Sequence, residues 1–399
     1  MKLKRIAVIS YHTCPLSDEK NAEVGGMNTY VLELSRALSQ KGVVIDIYTR
    51  CIDKNSPAVV NLNPNLRIIH LIAGPPTKIP KEKLIPYISQ FLSSFYKFTN
   101  TESSYYDLIS AHYYLSGLIG LKLKKNLHLP MLMTFHTLAL MKNLAERKED
   151  DQRIEFESLL VKNSDKIIAT SEVDLEYIHT LYDSPLKKIS ILTPGIDLTV
   201  FKPTEKNLAK KSIGANLNHK LILFVGRIVP LKSIDVLLYA IKILVKKNPD
   251  LTICLWIIGE ESKETRRLNL LRKILKIETF VKFVGQIDNQ KLPDYYNGAE
   301  ILVLPSQYES FGITALEAMA CGVPVITTDV TGVSNLLDKK HSSLLTSASN
   351  PIMLARKISH LLTNSDEHKK MSIEVSKKVQ DLSWKNIADE FIDLCKHMI

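Results

Sequence analysis

Ile301-Leu-Val-Leu-Pro-Ser-Gln-Tyr-Glu-Ser-Phe-Gly-Ile-Thr-Ala-Leu-Glu-Ala-Met-Ala320 carries most of what this chain says about itself. The apolar run Ile301 to Leu304 reads as a buried strand, and Leu316, Ala320 and their neighbours as a helix. Glu309 then falls in the strand-to-helix loop, and Glu317 inside the helix, pointing back toward the loop. Phe311-Gly312 marks the helix start, where unpaired amides favour an anion. Carboxylates suit hydroxyls rather than phosphate. The stretch therefore fits a ligand with both a phosphate and several hydroxyls, such as a nucleotide sugar. On these residues alone, a capping Glu309 and a solvated Glu317 are an equally good reading.

Outward from this stretch, short apolar strands alternate with amphipathic helices. Strands are expected at Arg5–Tyr11, Val43–Tyr48, Leu66–His70, Leu108–Ser110, Met131–Phe135, Lys166–Ala169 and Ile189–Leu192. A second series is expected at Leu221–Val225, Thr252–Ile257, Phe280–Phe283, Ile301–Leu304 and Pro324–Thr327. Helices such as Asn28–Lys41, Leu115–Lys125, Ser233–Lys247, Arg266–Leu275 and Pro351–Leu362 lie between them. The pattern predicts an α/β fold with parallel sheets covered on both faces. Thr193–Pro203, with two prolines and a glycine, reads as a linker. We therefore expect two Rossmann-like domains, 1–195 and 196–380, facing across a cleft, followed by a C-terminal helix at 381–399. Such sheets bind ligands outside the carboxyl ends of their strands.

With 399 residues, 45% hydrophobic and 24% charged, the composition is that of a globular protein of about two domains. Met1-Lys-Leu-Lys-Arg5 runs directly into an apolar strand, with no cleavage site of the signal-peptide kind. No run of about 18 apolar residues occurs. The five cysteines are scattered and never form Cys-x-x-Cys, which fits reduced thiols in the cytoplasm. The net charge of +10 is spread thinly, so nucleic acid is not expected as a partner. Lys78, Lys81, Lys83 and Lys97 beside Phe91, Phe95 and Tyr96 leave a peripheral membrane contact as an alternative to an ordinary core-facing helix.

Gly-x-Gly-x-x-Gly, the P-loop pattern and Asp-x-Asp are all missing from the chain. A bound diphosphate would then be neutralised by side-chain cations rather than by Mg²⁺ on paired carboxylates. Arg227 and Lys232, in Gly226-Arg-Ile-Val-Pro-Leu-Lys232, follow the first strand of the second half and suit a pyrophosphate. Gly25-Gly26-Met-Asn28 opens a helix in the first half and allows close approach of a phosphate or sugar. His112 and His136 each follow a strand.

Together these motifs resemble the retaining glycosyltransferases of family 4, with the GT-B fold, over nearly the whole chain. Gly25-Gly-Met-Asn-Thr-Tyr-Val31, Lys81-Glu-Lys-Leu84, His112-Tyr-Tyr-Leu-Ser-Gly117 and Thr134-Phe-His-Thr-Leu138 resemble the inositol-phosphate and sucrose-phosphate-synthase-like branch. The resemblance implies transfer from a nucleoside-diphosphate sugar, UDP-glucose or UDP-N-acetylglucosamine, to a small, phosphorylated hydroxyl acceptor. It implies that Arg227, Lys232, Glu309 and His136 act in catalysis. Gly25, Gly26, Ser310, Phe311, Gly312, Ile313 and Glu317 would join Arg227, Lys232 and Glu309 in binding the donor. Asn28, Lys81, Tyr113, Thr137 and Arg153 would bind the acceptor. No metal and no cofactor are expected, and the oligomeric state is left open. The expected location is the cytoplasm or the inner face of a membrane. Rival readings are a membrane-associated glycolipid or polysaccharide transferase, a glycoside hydrolase using the two glutamates, and a non-catalytic nucleotide-sugar-binding protein.

Overall fold

A computed structural model describes residues 3–16, 25–102, 105–144, 150–328, 332–337, 344–347 and 349–399. They divide into two compact units: the first runs up to Gly195 and resumes at Trp384, and the second covers Ile196–Ser383.

The first unit carries β1 (Arg5–Ile9), α1 (Gly26–Gln40), β2 (Val44–Arg50), β3 (Val59–Asn63), β4 (Leu66–Leu71), α2 (Ile88–Glu102), β5 (Leu108–His112), α3 (Tyr114–Leu127), β6 (Met131–Thr134), α4 (Ala139–Leu144), α5 (Asp151–Asn163), β7 (Lys166–Ala169), α6 (Glu172–Leu181) and β8 (Ile189–Ile191). Its strands form one sheet in the order β3-β4-β2-β1-β5-β6-β7-β8. Ile6, Ala7, Val8 and Ile9 of β1 are all buried, as expected of a central strand with helices on both faces. All neighbours pair in parallel except β3, which runs antiparallel to β4 at the edge. The sheets are parallel as expected, and β3 is an added antiparallel edge strand that the sequence pattern did not mark. β3 carries Asn61 and Asn63 and has no fully buried residue, so it gives a weak apolar signal.

The second unit carries α7 (Lys206–Ser212), β9 (Lys220–Val225), α8 (Ile234–Lys247), β10 (Ile253–Ile258), α9 (Lys263–Ile274), β11 (Val281–Gly285), α10 (Leu292–Gly298), β12 (Ile301–Leu304), α11 (Ile313–Ala320), β13 (Val325–Thr328), β14 (Leu345–Thr346), α12 (Pro351–Thr363) and α13 (Ser365–Lys378). The sheet order is β11-β10-β9-β12-β13-β14, all parallel. α8 packs against both α9 and α12 on one face of the sheet. On the opposite face, α10 packs against both α7 and α11.

The last helix, α14 (Trp384–Cys395), belongs to the first unit. Its stripe Ile387, Ala388, Phe391 and Cys395 is buried, and a fully buried Ile or Phe contributes roughly 1.5–3 kcal/mol. It packs on α1, with Trp384 edge-on to Tyr30 at 5.8 Å and Lys41 paired to Asp389 at 2.7 Å. Position 195 must be glycine, because a Cβ there would meet the Trp384 ring at 2.7 Å.

In α2, Phe91 and Phe95 are fully buried, and Tyr96 takes a hydrogen bond from Asn126 at 2.9 Å. The aromatic side of this segment faces the core.

Candidate active site

In an open α/β sheet, ligands gather where the strand order reverses, because the loops there leave a crevice. In the second unit this point lies between β9 and β12, in the first between β1 and β5. The predicted residues cluster at both.

At the end of β9 the chain turns through Gly226, with φ at +154°. Its carbonyl faces Gly259 so closely that a Cβ on Gly259 would lie 2.1 Å away. Ser262 Oγ donates to the Ile228 carbonyl at 2.7 Å, and Gln307 N to the Leu231 carbonyl at 3.0 Å. The loop is thus pinned to both neighbouring strand ends. A short turn, Pro230–Lys232, then delivers Lys232, and Ser233 in the left-handed region starts α8. Lys232 Nζ pairs directly with Glu309 in the loop after β12. Burial, then the Arg227 guanidinium, push the Lys232 ammonium down to about 7. The Glu309 carboxylate acts in the opposite sense. Two cations, Arg227 and Lys232, therefore lie close together with one carboxylate on Lys232, an arrangement that an anionic ligand would relieve.

The neighbouring loop ends at Gly312, with φ at +90°, and α11 starts there without a side-chain cap. Glu309 is therefore not a helix cap. Ser310 Oγ shares a hydrogen bond with Tyr308 at 2.6 Å. The Phe311 side chain belongs to the hydrophobic core, so only its backbone is available to a ligand. Ile313 opens the first turn of α11. Glu317 is not solvated: it is 7% exposed and accepts from Tyr296 Oη at 2.6 Å. Burial pushes its carboxyl up to about 7, and the Tyr296 hydrogen bond only partly opposes this. The reading as a capping and a solvated glutamate is thereby excluded.

In the first unit, α5 supplies the buried Arg153. Its Nε donates to Glu157 Oε1 at 2.8 Å, and its Nη2 to the Thr137 carbonyl at 3.0 Å and Oγ1 at 3.2 Å. The guanidinium lies 5.1 Å from the ring centre of Tyr113, which caps α3 with φ at +75°. Arg153, Tyr113 and Thr137 are thus brought together. Lys81 sits in a short turn, Lys81–Lys83, held from behind. Tyr11 Oη donates to the Leu84 carbonyl at 3.0 Å, and the buried Arg50 donates to the Pro75 and Thr77 carbonyls at 2.9 and 2.6 Å. The buried Asn28 donates to Thr13 Oγ1 at 3.0 Å and to the Cys14 carbonyl at 3.2 Å. Gly25 is extended, and α1 begins at Gly26 with no side-chain cap.

His136, with φ at +60°, hydrogen-bonds through Nε2 to His112 Nδ1 at 2.9 Å and packs edge-on to Tyr30. Burial holds both imidazoles below the usual range, His112 at about 3, so both are neutral near pH 7.

His12, which the sequence reading did not single out, joins the acceptor-side cluster. Its ring lies 4.6 Å from that of Tyr113, and its buried Nδ1 has no hydrogen-bond partner. Burial, then Lys81, then Arg153 push it down to about 3. A neutral imidazole, two cations and a phenol ring thus meet at one strand end. The available signal was positional: His12 lies three residues beyond the central strand β1, at the switch point.

Among the described residues, no three His, Cys, Asp or Glu side chains are grouped so as to hold a metal ion. No described helix is long and apolar enough to cross a membrane.

Residues 205–378 match the family model described as glycosyl transferases group 1, and residues 24–200 the one described as glycosyltransferase family 4. D-inositol 3-phosphate glycosyltransferase from Nocardiopsis dassonvillei is 31% identical, over 98% of this chain and 94% of its own. D-inositol 3-phosphate glycosyltransferase 2 from Catenulispora acidiphila is 35% identical, over 90% of this chain and 87% of its own. Among solved structures, sucrose-phosphate synthase from Thermosynechococcus elongatus superposes with a TM-score of 0.91 at 31% identity, covering 99% of this chain and 98% of its own. Anabaena Alr3699/HepE, solved with UDP and glucose, covers 99% of this chain and 100% of its own; at a TM-score of 0.77 and 14% identity it shares the fold.

Proposed function

The chain belongs to glycosyltransferase family 4, the group 1 enzymes of GT-B fold, and from that premise we propose that it moves a sugar, with retention, from a UDP-sugar to a hydroxyl of a small phosphorylated polyol. Membership of the family sets aside the hydrolase and the non-catalytic binding protein. The observation that carries the reading is a buried Lys232, paired with Glu309 and close enough to Arg227 to feel its charge, at a switch point. A diphosphate spreads its negative charge over both cations, and most strongly as the glycosidic bond breaks.

In this reading Arg227 and Lys232 hold the leaving diphosphate, and the open amides of α11 around Phe311, Gly312 and Ile313 add a favourable dipole. Glu309, released from Lys232, accepts hydroxyls of the transferred sugar, which is UDP-glucose or UDP-N-acetylglucosamine in the donor. Glu317 accepts ribose hydroxyls, and Ser310 lies beside the phosphate. Gly25 and Gly26 allow close approach to the diphosphate, and neutral His136 lines the sugar. The acceptor hydroxyl attacks the anomeric carbon from the leaving-group side. The bond from that carbon to phosphate oxygen breaks, the new one forms on the same face, and a phosphate oxygen takes the hydroxyl proton. No metal, cofactor or enzymic nucleophile takes part.

Lys81, Tyr113, Thr137 and Asn28 form the acceptor side, with Arg153 as the cation that backs Tyr113 and Thr137. Two cations beside a neutral His12 favour a phosphate there, and the names of the relatives at 31% identity or above, inositol phosphate and sucrose-phosphate enzymes, support the same chemistry.

Thermal shifts with UDP, GDP and ADP, each with Mg²⁺ or EDTA, test the donor, since a ligand that binds the native state stabilises it. UDP is expected to raise the melting temperature equally in both. A shift with GDP alone would overturn the base, and a strict Mg²⁺ requirement would overturn metal independence. Turnover is then compared with inositol 3-phosphate, sugar phosphates and their unphosphorylated forms. Preference for the unphosphorylated forms would sink the acceptor reading.

A further inference from the structure

We propose that the face of the second unit formed by α9, α8 and α12 docks onto an anionic lipid bilayer. Leu270 and Ile274, one turn apart on α9, are 60% and 67% exposed. Helices α8 and α9 run in the same direction, and Arg267 joins them by pairing with Asp235 at 3.0 Å. Tyr239, one turn beyond Asp235 on α8, is exposed too. On the far side of α8 a groove of about 340 Å³ separates it from α12, lined by Ile243 and Ile352 with Lys247 and Arg356 at its rim. Large apolar side chains scattered singly need no explanation, but exposed ones on three neighbouring helices of one face do.

Charge identifies the occupant. α8, α9 and α12 together carry ten Lys and Arg residues against two carboxylates, Asp235 and Glu264. Both carboxylates are engaged by the same Arg267. On the opposite face, α7, α10 and α11 carry three lysines against Asp294 and Glu317. Apolar tips standing among cations match a headgroup layer, where the tips enter the acyl boundary and the cations meet anionic lipid. Nucleic acid would satisfy the cations and leave Leu270 and Ile274 without a partner. This surface is separate from the residues assigned to donor and acceptor.

The test is flotation of the full chain with phosphatidylcholine vesicles, with and without about a third phosphatidylglycerol. Binding is expected only to the anionic vesicles and to weaken with salt. Leu270→Glu with Ile274→Glu is expected to reduce binding about tenfold. Lys273→Glu with Arg266→Glu, which leaves the apolar residues intact, is expected to do the same, and both variants should keep the melting temperature and the turnover of soluble substrates. Equal flotation of wild type and both variants would overturn the proposal. So would a dimer in solution that the Leu270 and Ile274 changes dissociate, or a duplex DNA that binds in preference to the vesicles.

Discussion

The two switch points hold their cations in different ways. In the second unit Lys232 pairs with Glu309, and burial first, then the nearby Arg227 charge, pushes Lys232 down to about 7. In the first unit Arg153 is already spent: its fork is taken by Glu157 and Thr137, and its faces by Tyr113 and Tyr114. In the proposed reading one cluster keeps its charge for a ligand, while the other uses it to build the wall behind the site. Removing a cation should therefore cost activity in the second unit and stability first in the first.

The largest effect is expected at Arg153. Arg153→Met leaves Glu157, wholly buried, with only the Tyr182 hydroxyl and the Ala139 amide. Breaking a buried pair from one side costs about 3–5 kcal/mol. Urea unfolding should show it as a lower midpoint with unchanged slope. An unchanged midpoint with a raised acceptor KM would break the comparison, because Arg153 would then be a ligand cation like Lys232.

Lys232→Ala comes next. Loss of a group that stabilises charge mainly in the transition state lowers kcat by roughly 10²–10³, or about 2.7–4 kcal/mol. The melting temperature should hardly move, since Glu309 at 25% exposure can recruit water. A large drop in melting temperature with modest loss of kcat would make Lys232 a structural ion pair.

The same contrast explains what could be read from sequence. Lys232 and Glu309 sit in short loops after apolar strands, so strand ends, turn residues and residue type point to them together. β1, β5, β9 and β12 are buried on both faces, and their apolar runs mark those ends within one or two residues. Arg153 and His12 gave no local pattern. Arg153 reaches the site only because α5 packs against α3, and its partner Glu157 lies on its own helix. His12 becomes informative only once β1 is known to be the central strand. Edge strand β3 was missed because two asparagines interrupt its apolar alternation.

Glu317 sharpens the comparison from the acid side. Its folded carboxyl is pushed up from the ordinary 4.5 to about 7 by burial. Below pH 4.5 both folded and unfolded forms keep the proton, and the site does not oppose folding. As pH rises through 7 the unfolded chain loses its proton more readily, and the native state loses about 3 kcal/mol. Glu317→Gln removes this titration and can still accept from Tyr296. Its melting temperature should therefore gain on wild type between pH 5 and pH 8. A constant difference would show that the carboxylate is better solvated than its surroundings indicate. Loss of the UDP-induced shift in the same variant would tie Glu317 to the ribose.

The smallest effect is expected behind Lys81, where the first unit's other cation sits on a turn held by the core. Tyr11 is fully buried, and burial pushes its phenol up to about 12, so it remains a hydrogen-bond donor to the Leu84 carbonyl at any working pH. Tyr11→Phe keeps the ring packed on Phe91 and removes one hydrogen bond, worth about 1 kcal/mol. Arg50 still holds the Pro75 and Thr77 carbonyls, so the turn loosens without detaching. If Lys81 reads a phosphate, the KM of a phosphorylated acceptor should rise about fivefold, the factor that 1 kcal/mol supplies. The donor KM should stay constant, because the donor cations lie in the other unit. An equal rise with the unphosphorylated polyol would mean that the turn shapes the acceptor site sterically, leaving the second unit as the one place where reserve charge meets a ligand.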